Sequence, residues 1–156
     1  MSKGGRGHLS EKGTGFNLEA GYISDQRKDR PAYYSFNEYL RKKFGQRVQR
    51  LSLNAHFTCP NRDGSISKEG CIYCNDEAFS PYAASDLPLD EQIRRSMDFA
   101  KSRYNAKKFI AYFQNATNTY ATVPKLKKAY EVIRNFPDIV GLYISTRPDC
   151  IDEERL

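Results

Sequence analysis

The sequence predicts an α/β protein with parallel strands, organised as part of a TIM-type (β/α) barrel. Three observations carry this. Short apolar runs alternate with longer segments of helical periodicity, in the order strand, helix, strand, helix, strand. The intervening helices are long enough to carry the chain back over the sheet, which makes the strands parallel and the crossovers right-handed. A polar cluster follows each apolar run, and the carboxyl ends of parallel strands are where such folds keep their chemistry.

Residues 1–32 are glycine-rich and of mixed charge, with scattered apolar residues (Leu9, Phe16, Leu18, Tyr22, Ile23), and read as a flexible N-terminal extension. Folding is expected from residue 33 onward. Ser35 has the chemistry of an N-cap, Phe36, Tyr39, Leu40 and Phe44 follow at helical spacing, and Gly45 ends that helix. Arg41, Lys42, Lys43, Arg47 and Arg50 crowd this region. A solvated face is the ordinary reading of such a run; an RNA or phosphate contact is the functional one. Val48 to Ala55 reads as strand one. Pro81 and Pro88 punctuate the route to a helix from Leu89 to Tyr104, whose stripe of Ile93, Met97, Ala100 and Tyr104 faces a core. Phe109 to Phe113 is strand two, Pro124 to Asn135 a helix with Leu126, Tyr130 and Ile133 inward, and Ile139 to Ser145 strand three. Cys150 to Leu156 looks like the start of a further helix with Asp152 as its cap. Three parallel strands leave open edges, a liability in isolation. The expectation is therefore that residues 33–156 are the N-terminal portion of a longer barrel-type enzyme.

Composition narrows the class. With 156 residues and 39% hydrophobic content the chain can bury a core, which excludes a disordered polymer. No apolar run nears the roughly 20 residues of a membrane span, and the N-terminus lacks the apolar stretch of a signal peptide. A cytoplasmic location without membrane contact follows as the expectation. Reduced thiols there make the four cysteines candidates for metal or redox chemistry, not for a disulfide framework. The net charge of +6 permits a phosphate-bearing partner.

The stretch Leu51–Cys74 is the centre of the chain. An alternating run (Leu51, Leu53, Ala55) delivers Cys59; eleven turn-forming residues follow, and Cys71-Ile72-Tyr73-Cys74 closes the loop. Three thiols at one strand end, on backbone that Gly64 and Gly70 allow to fold back, are typical of a metal or cluster site. His56 with the same cysteines would also make a structural zinc set, which is the competing reading: a zinc-binding structural or nucleic-acid-binding module. The other two rim clusters are Gln114, Asn115, Thr117, Asn118 and Thr119 after strand two, and Ser145, Thr146, Arg147 and Asp149 after strand three. Cys150 reads as a small buried hydrophobe, Arg147 equally as a structural partner of Asp149, and Tyr112, Tyr120 and Tyr143 as core residues.

FTCPNRDGSISKEGCIYCN, YFQNATNTYA and STRPDCI together resemble the radical S-adenosylmethionine (SAM) superfamily, within it the Elp3-like or YhcC-like family, from about Tyr33 to the C-terminus. The commonest members separate their first two cysteines by three residues; the long spacing here resembles that of the elongator catalytic subunit. The resemblance implies a four-iron, four-sulfur (4Fe-4S) cluster on Cys59, Cys71 and Cys74. A cubic cluster ordinarily takes four thiolates, so three leave one iron open. By resemblance that iron chelates the methionine moiety of SAM, whose reductive cleavage gives a 5′-deoxyadenosyl radical for hydrogen abstraction. The resemblance further implies Tyr73 near the adenine, the Gln114–Thr119 run near the methionine amino group without the acidic residue usual there, and Ser145, Thr146, Arg147 and Asp149 near the ribose and carboxylate. It also implies an electron donor of flavodoxin or ferredoxin type and, with the basic balance, an RNA substrate.

Overall fold

The computed structural model describes residues 33–75, 78 and 80–155; the expected flexible extension at 1–32 lies outside them. Helix α1 (Phe36–Phe44) begins where the Ser35 hydroxyl accepts the Glu38 N–H at 3.1 Å. It ends at Gly45, whose left-handed backbone (φ 69°) lets its N–H reach the Arg41 carbonyl at 2.8 Å. An added Cβ there would meet nothing, so conformation and not crowding calls for glycine. Of the apolar face expected on α1 only Leu40 is buried; Phe36 is 51% and Tyr39 40% exposed. The reason is how little α1 covers: Leu40 joins Val48 and Ile110 in a small cluster flanked by Phe44 and Val140, and nothing among the described residues extends it.

Strands β1 (Val48–Leu53), β2 (Lys108–Phe113) and β3 (Ile139–Ile144) form a small open parallel sheet in that order. Strand β1 stops at Leu53, two residues short of expectation, because a side chain takes over the ladder. The Gln92 amide, fully buried, accepts the Asn54 N–H (3.0 Å) and donates to the Asn54 carbonyl (3.0 Å). Asn54 Oδ1 meanwhile accepts the N–H of His56, which turns the chain in the left-handed region (φ 56°).

Helix α2 (Leu89–Tyr104) buries Ile93, Met97 and Ala100 as expected. Tyr104 departs from the stripe: it is 36% exposed, and its ring lies beneath the Arg47 guanidinium at 4.7 Å. The helix expected over Pro124–Asn135 is α3 (Val123–Glu131) followed by a tighter 3-10 turn (Val132–Asn135), which delivers Phe136 into the core. Where a helix start was expected, residues 153–155 form only a turn, closed by Asp152 Oδ1 accepting the Arg155 N–H at 3.0 Å.

One face of the sheet carries the main core. Leu51, Leu53, Phe109, Ala111 and Phe113 meet Ile93, Met97 and Ala100 from α2 together with Phe136, and Tyr130, Val132 and Ile133 flank them. Both crossover helices thus lie on the same side of the sheet. The opposite face is covered by α1 at its amino end and otherwise carries polar groups such as Arg50 and Tyr112, in contact at 4.8 Å. Tyr143, expected in a core, is 38% exposed on edge strand β3, tilted against Phe36 (ring centroids 6.0 Å apart). Among the described residues no helix is long and apolar enough to cross a membrane.

Candidate functional site

The loop after β1 is built by its own backbone. The Cys59 carbonyl accepts the N–H groups of Arg62 (2.8 Å) and Asp63 (3.0 Å), and Asp63 in turn accepts the Ser65 N–H on Oδ1 at 2.9 Å. That bond holds the Asp63 carboxyl below the usual carboxylate range. Gly64 (φ 94°) reverses the chain, and Ile66 and Ser67 return to donate to the Pro60 carbonyl. At Gly70 (φ 76°) the N–H reaches the Asn61 carbonyl at 2.8 Å, and a Cβ would stand 3.1 Å from Arg62 Nε. The eleven-residue excursion therefore closes on itself and sets Cys71 beside Asn61, whose Nδ2 donates to the Cys71 sulfur at 3.0 Å. One more turn, Cys74 N–H to the Cys71 carbonyl (2.9 Å), brings the third thiol round, and Arg62 Nη2 reaches the Cys74 carbonyl at 3.4 Å.

The second rim loop is tied to the first. Thr117 donates its N–H to the Thr58 carbonyl (3.2 Å) and its hydroxyl to the Cys59 sulfur (3.1 Å); Tyr120 and Ser65 join their hydroxyls at 2.9 Å. The Asn118 side chain is 1% exposed, and its Nδ2 lies within reach of the carbonyls of Asn115 (2.8 Å), Ser145 (3.1 Å) and Phe113 (3.2 Å). It staples the ends of β2 and β3, reinforced by Asn118 N–H to the Ser145 carbonyl (3.0 Å) and by the hydroxyl of half-buried Tyr130 on the Asn118 carbonyl. Burial raises the Tyr130 phenol well above its ordinary range. Among the described residues the Asn118 Oδ1 finds no donor.

After β3, Thr119 shares a hydrogen bond with Thr146 and donates to the Cys150 carbonyl at 2.6 Å. Ser145 pairs its hydroxyl with that of Tyr112 at 3.0 Å. Arg147 grips Asp149 through two bonds of 2.9 and 2.7 Å, which lifts the guanidinium and lowers the carboxyl relative to their ordinary values. Arg147 is also within electrostatic reach of Cys59 and Cys71. The Asn61 amide first, then the Tyr73 hydroxyl and the positive charges of Arg147 and Arg62, hold the Cys71 thiol below the usual thiol range. Tyr73, 80% exposed, is raised by the same contact with the Cys71 sulfur. Cys150, expected to be buried, is only half-buried: it lines a cavity of about 450 Å³ between this loop and the Asp152 turn, and its partial burial pushes the thiol up.

On this rim Cys71 lies with Asn61, Tyr73 and the charge of Arg147, and Cys59 with Thr117, while Cys74 closes the loop one turn after Cys71. Gln114, Asn115, Asn118, Thr119, Ser145, Thr146 and Asp149 frame that rim, and the hydroxyls and amide nitrogen of Asn118, Thr119 and Thr146 are engaged with backbone or with each other. His56 is exposed, its Nδ1 3.4 Å from Asn54 Nδ2. Among the described residues no three His, Cys, Asp or Glu side chains gather closely enough to hold a single metal ion, so neither the zinc set of His56, Cys59, Cys71 and Cys74 nor Cys59, Cys71 and Cys74 by themselves form a single-ion site. Asn61 and Gln92 were missed as supports of the site, and Tyr130 was read only as an inward-facing core residue and not as a donor to the Asn118 carbonyl.

Curated relatives align with this chain over three-quarters or more of its length. The protein YhcC of Escherichia coli K12 is 37% identical over 118 residues, 76% of this chain and 37% of its own length. The uncharacterized protein YtqA of Bacillus subtilis is 37% identical over 126 residues, 78% of this chain and 38% of its own. The uncharacterized protein MJ0486 of Methanocaldococcus jannaschii is 34% identical over 128 residues, 80% and 38% respectively. The chain therefore spans less than two-fifths of each relative's length. No family model matches it. No solved structure matches it.

Proposed function

We propose that this chain is part of a radical SAM enzyme, with Cys59, Cys71 and Cys74 as the ligands of a 4Fe-4S cluster and the three strands as the first part of a TIM-type barrel. The observation that carries the reading is one closed loop at the carboxyl end of β1 bearing three thiols, two of them met by hydrogen-bond donors aimed at sulfur: Asn61 on Cys71 and Thr117 on Cys59. Donors to ligand sulfurs are among the levers a protein uses on such clusters. The absence of a grouping tight enough for one ion is compatible with this donor set, since a cubic cluster gives each thiolate an iron of its own. When bound, the cluster supplies an electron to SAM, giving methionine and a 5′-deoxyadenosyl radical that takes a hydrogen atom from the substrate.

The chain's own residues do the holding and orienting. Asn61, Arg62 and Arg147 favour the thiolate form of Cys71 that metal binding requires. Arg147 holds Asp149 through its Nε–Nη2 edge, which fixes the pair on the rim, and its charge reaches Cys59 and Cys71. Asn118 Oδ1 is the rim acceptor that an α-ammonium group would satisfy, its own amide nitrogen being held by carbonyls. Tyr73 stands out from the loop with its ring free to lie against a planar base. The placement of both crossover helices on one face of the sheet supports the barrel, because a singly wound sheet curls with its helices outside and its other face within. A small one-electron carrier of flavodoxin or ferredoxin type is the proposed donor.

The test is spectroscopic and chemical. Loaded with iron and sulfide under anaerobic conditions, the chain should show a spectrum that changes on adding SAM, and with a strong reductant should release 5′-deoxyadenosine. A loaded chain whose spectrum ignores SAM and which yields no 5′-deoxyadenosine would contradict the proposal.

A further inference from the structure

The resemblance groups Thr117 with the residues around the methionine amino group, but the structure gives its side chain a different partner. The hydroxyl donates to the Cys59 sulfur at 3.1 Å, across 58 residues of sequence. The side chain is 2% exposed, so it has little surface left to offer a ligand. Its backbone is held on both sides: the N–H donates to the Thr58 carbonyl at 3.2 Å, and the carbonyl accepts the Tyr120 N–H at 3.0 Å. Ala116 just before it sits in the left-handed region (φ 61°), which a residue with a Cβ keeps only when its surroundings impose it. That strain falls where the chain turns Thr117 toward the sulfur. Asn61, by contrast, approaches Cys71 from within the same loop and is half-buried, where water can stand in for it.

We infer that Thr117 is a positioning residue that sets the reduction potential of the cluster through Cys59. The inference rests on the cluster reading of Cys59, Cys71 and Cys74 and goes beyond it, since it gives Thr117 an electronic role and no contact with SAM. A cysteine sulfur bonded to iron carries no proton, so the hydrogen bond can run only from hydroxyl to sulfur. One electron from the carrier raises the negative charge on the sulfurs, and the bond to Thr117 strengthens with it. The hydrogen stays on the Thr117 oxygen, and no bond forms or breaks. A donor of this kind favours the reduced state and raises the potential. In a buried site of low dielectric the bond is electrostatically stronger than in water.

Redox titration of the chain loaded with iron and sulfide, followed by electron paramagnetic resonance of the reduced cluster, tests this. Thr117→Val keeps the shape and drops the donor. Its reduction equilibrium should shift about 3- to 10-fold toward the oxidised state, a midpoint about 30 to 60 mV below the parent's for one electron. Thr117→Ser keeps the hydroxyl and should restore the parent's midpoint, which a merely structural role would not do. Lys128→Gln, on the exposed surface of α3, should leave the midpoint where it is. The SAM concentration that half-saturates the spectral change should be unchanged in all three. Iron content separates the two proposals. A parent without about four irons would contradict the cluster reading and this inference with it. A loaded Thr117→Val at the parent's midpoint would overturn this inference alone. So would a Thr117→Ser chain that stays at the Thr117→Val midpoint, or a weaker SAM response with an unmoved midpoint, which would return Thr117 to the ligand. Failure of both Thr117→Val and Thr117→Ala to take up iron would also overturn it, since Thr117 would then serve cluster assembly.

Discussion

The two ends of the same three strands solve opposite problems. At the carboxyl end, polar side chains are buried and committed: Asn118 to three carbonyls, Gln92 to a peptide group, Thr117 to a sulfur. At the amino end, Arg47 and Arg103 stay in solvent on the face of Tyr104, with no buried polar network beneath them. Irregular backbone can be held rigid without secondary structure only if side chains satisfy its N–H and C=O groups. The carboxyl rim is built that way. The amino end needs no such bracing, because the strands begin there from short hydrated turns.

The contrast can be broken by substitution. Asn118→Ala should cost the most, about 3 kcal/mol in denaturant titration, because it strips a buried donor from the carbonyls of Phe113, Asn115 and Ser145. A loss below about 0.5 kcal/mol would show that the staple is dispensable. Gln92→Leu should cost roughly 2 kcal/mol, leaving the Asn54 peptide unpaired at the end of β1. Thr117→Val, nearly isosteric, removes only the donor to Cys59 and should cost about 1 kcal/mol.

Thiol reactivity sharpens the same comparison within the rim. A lowered pKa means more thiolate at a given pH, and a raised one less. Between neutrality and the ordinary thiol value of about 8.5, iodoacetamide should therefore label Cys71 before Cys150, as read by peptide mass spectrometry. Unfolding should abolish the order; labelling of Cys150 first in the folded chain would mean the sulfur donors around Cys71 are misplaced. At the far end of the scale, Arg103→Gln should leave stability within about 0.5 kcal/mol of the parent, since its head is solvated. A larger loss would mean that the amino end is braced after all.

What could be read from sequence was whatever depends on neighbours in the chain. Ser35 and Gly45 bound α1 as expected because capping is a contact across three or four residues. Leu89–Tyr104 kept its limits for a similar reason, a periodic stripe closed by Asn105 in the left-handed region. The early end of β1 was not legible, since it depends on Gln92 reaching back 38 residues to Asn54. Nor were the exposures of Phe36, Tyr39, Tyr104 and Tyr143: periodicity says which side chains share a face, not whether anything covers it. At the site, the three cysteines and their glycine hinges were visible in the motif. The staple formed by Asn118 and the Thr119–Thr146 link were not, because amides and hydroxyls look alike in sequence whether they await a ligand or hold the backbone.

The measurement that bears most directly on the central claim is iron and sulfide content after anaerobic loading of the chain and of four single variants, Cys59→Ala, Cys71→Ala, Cys74→Ala and Cys150→Ala. A three-thiolate cluster site predicts about four irons and four sulfides per chain for the parent and for Cys150→Ala, and near-complete loss in each of the other three. A colourless chain holding one zinc, or loss in Cys150→Ala as complete as in Cys59→Ala, would contradict the account.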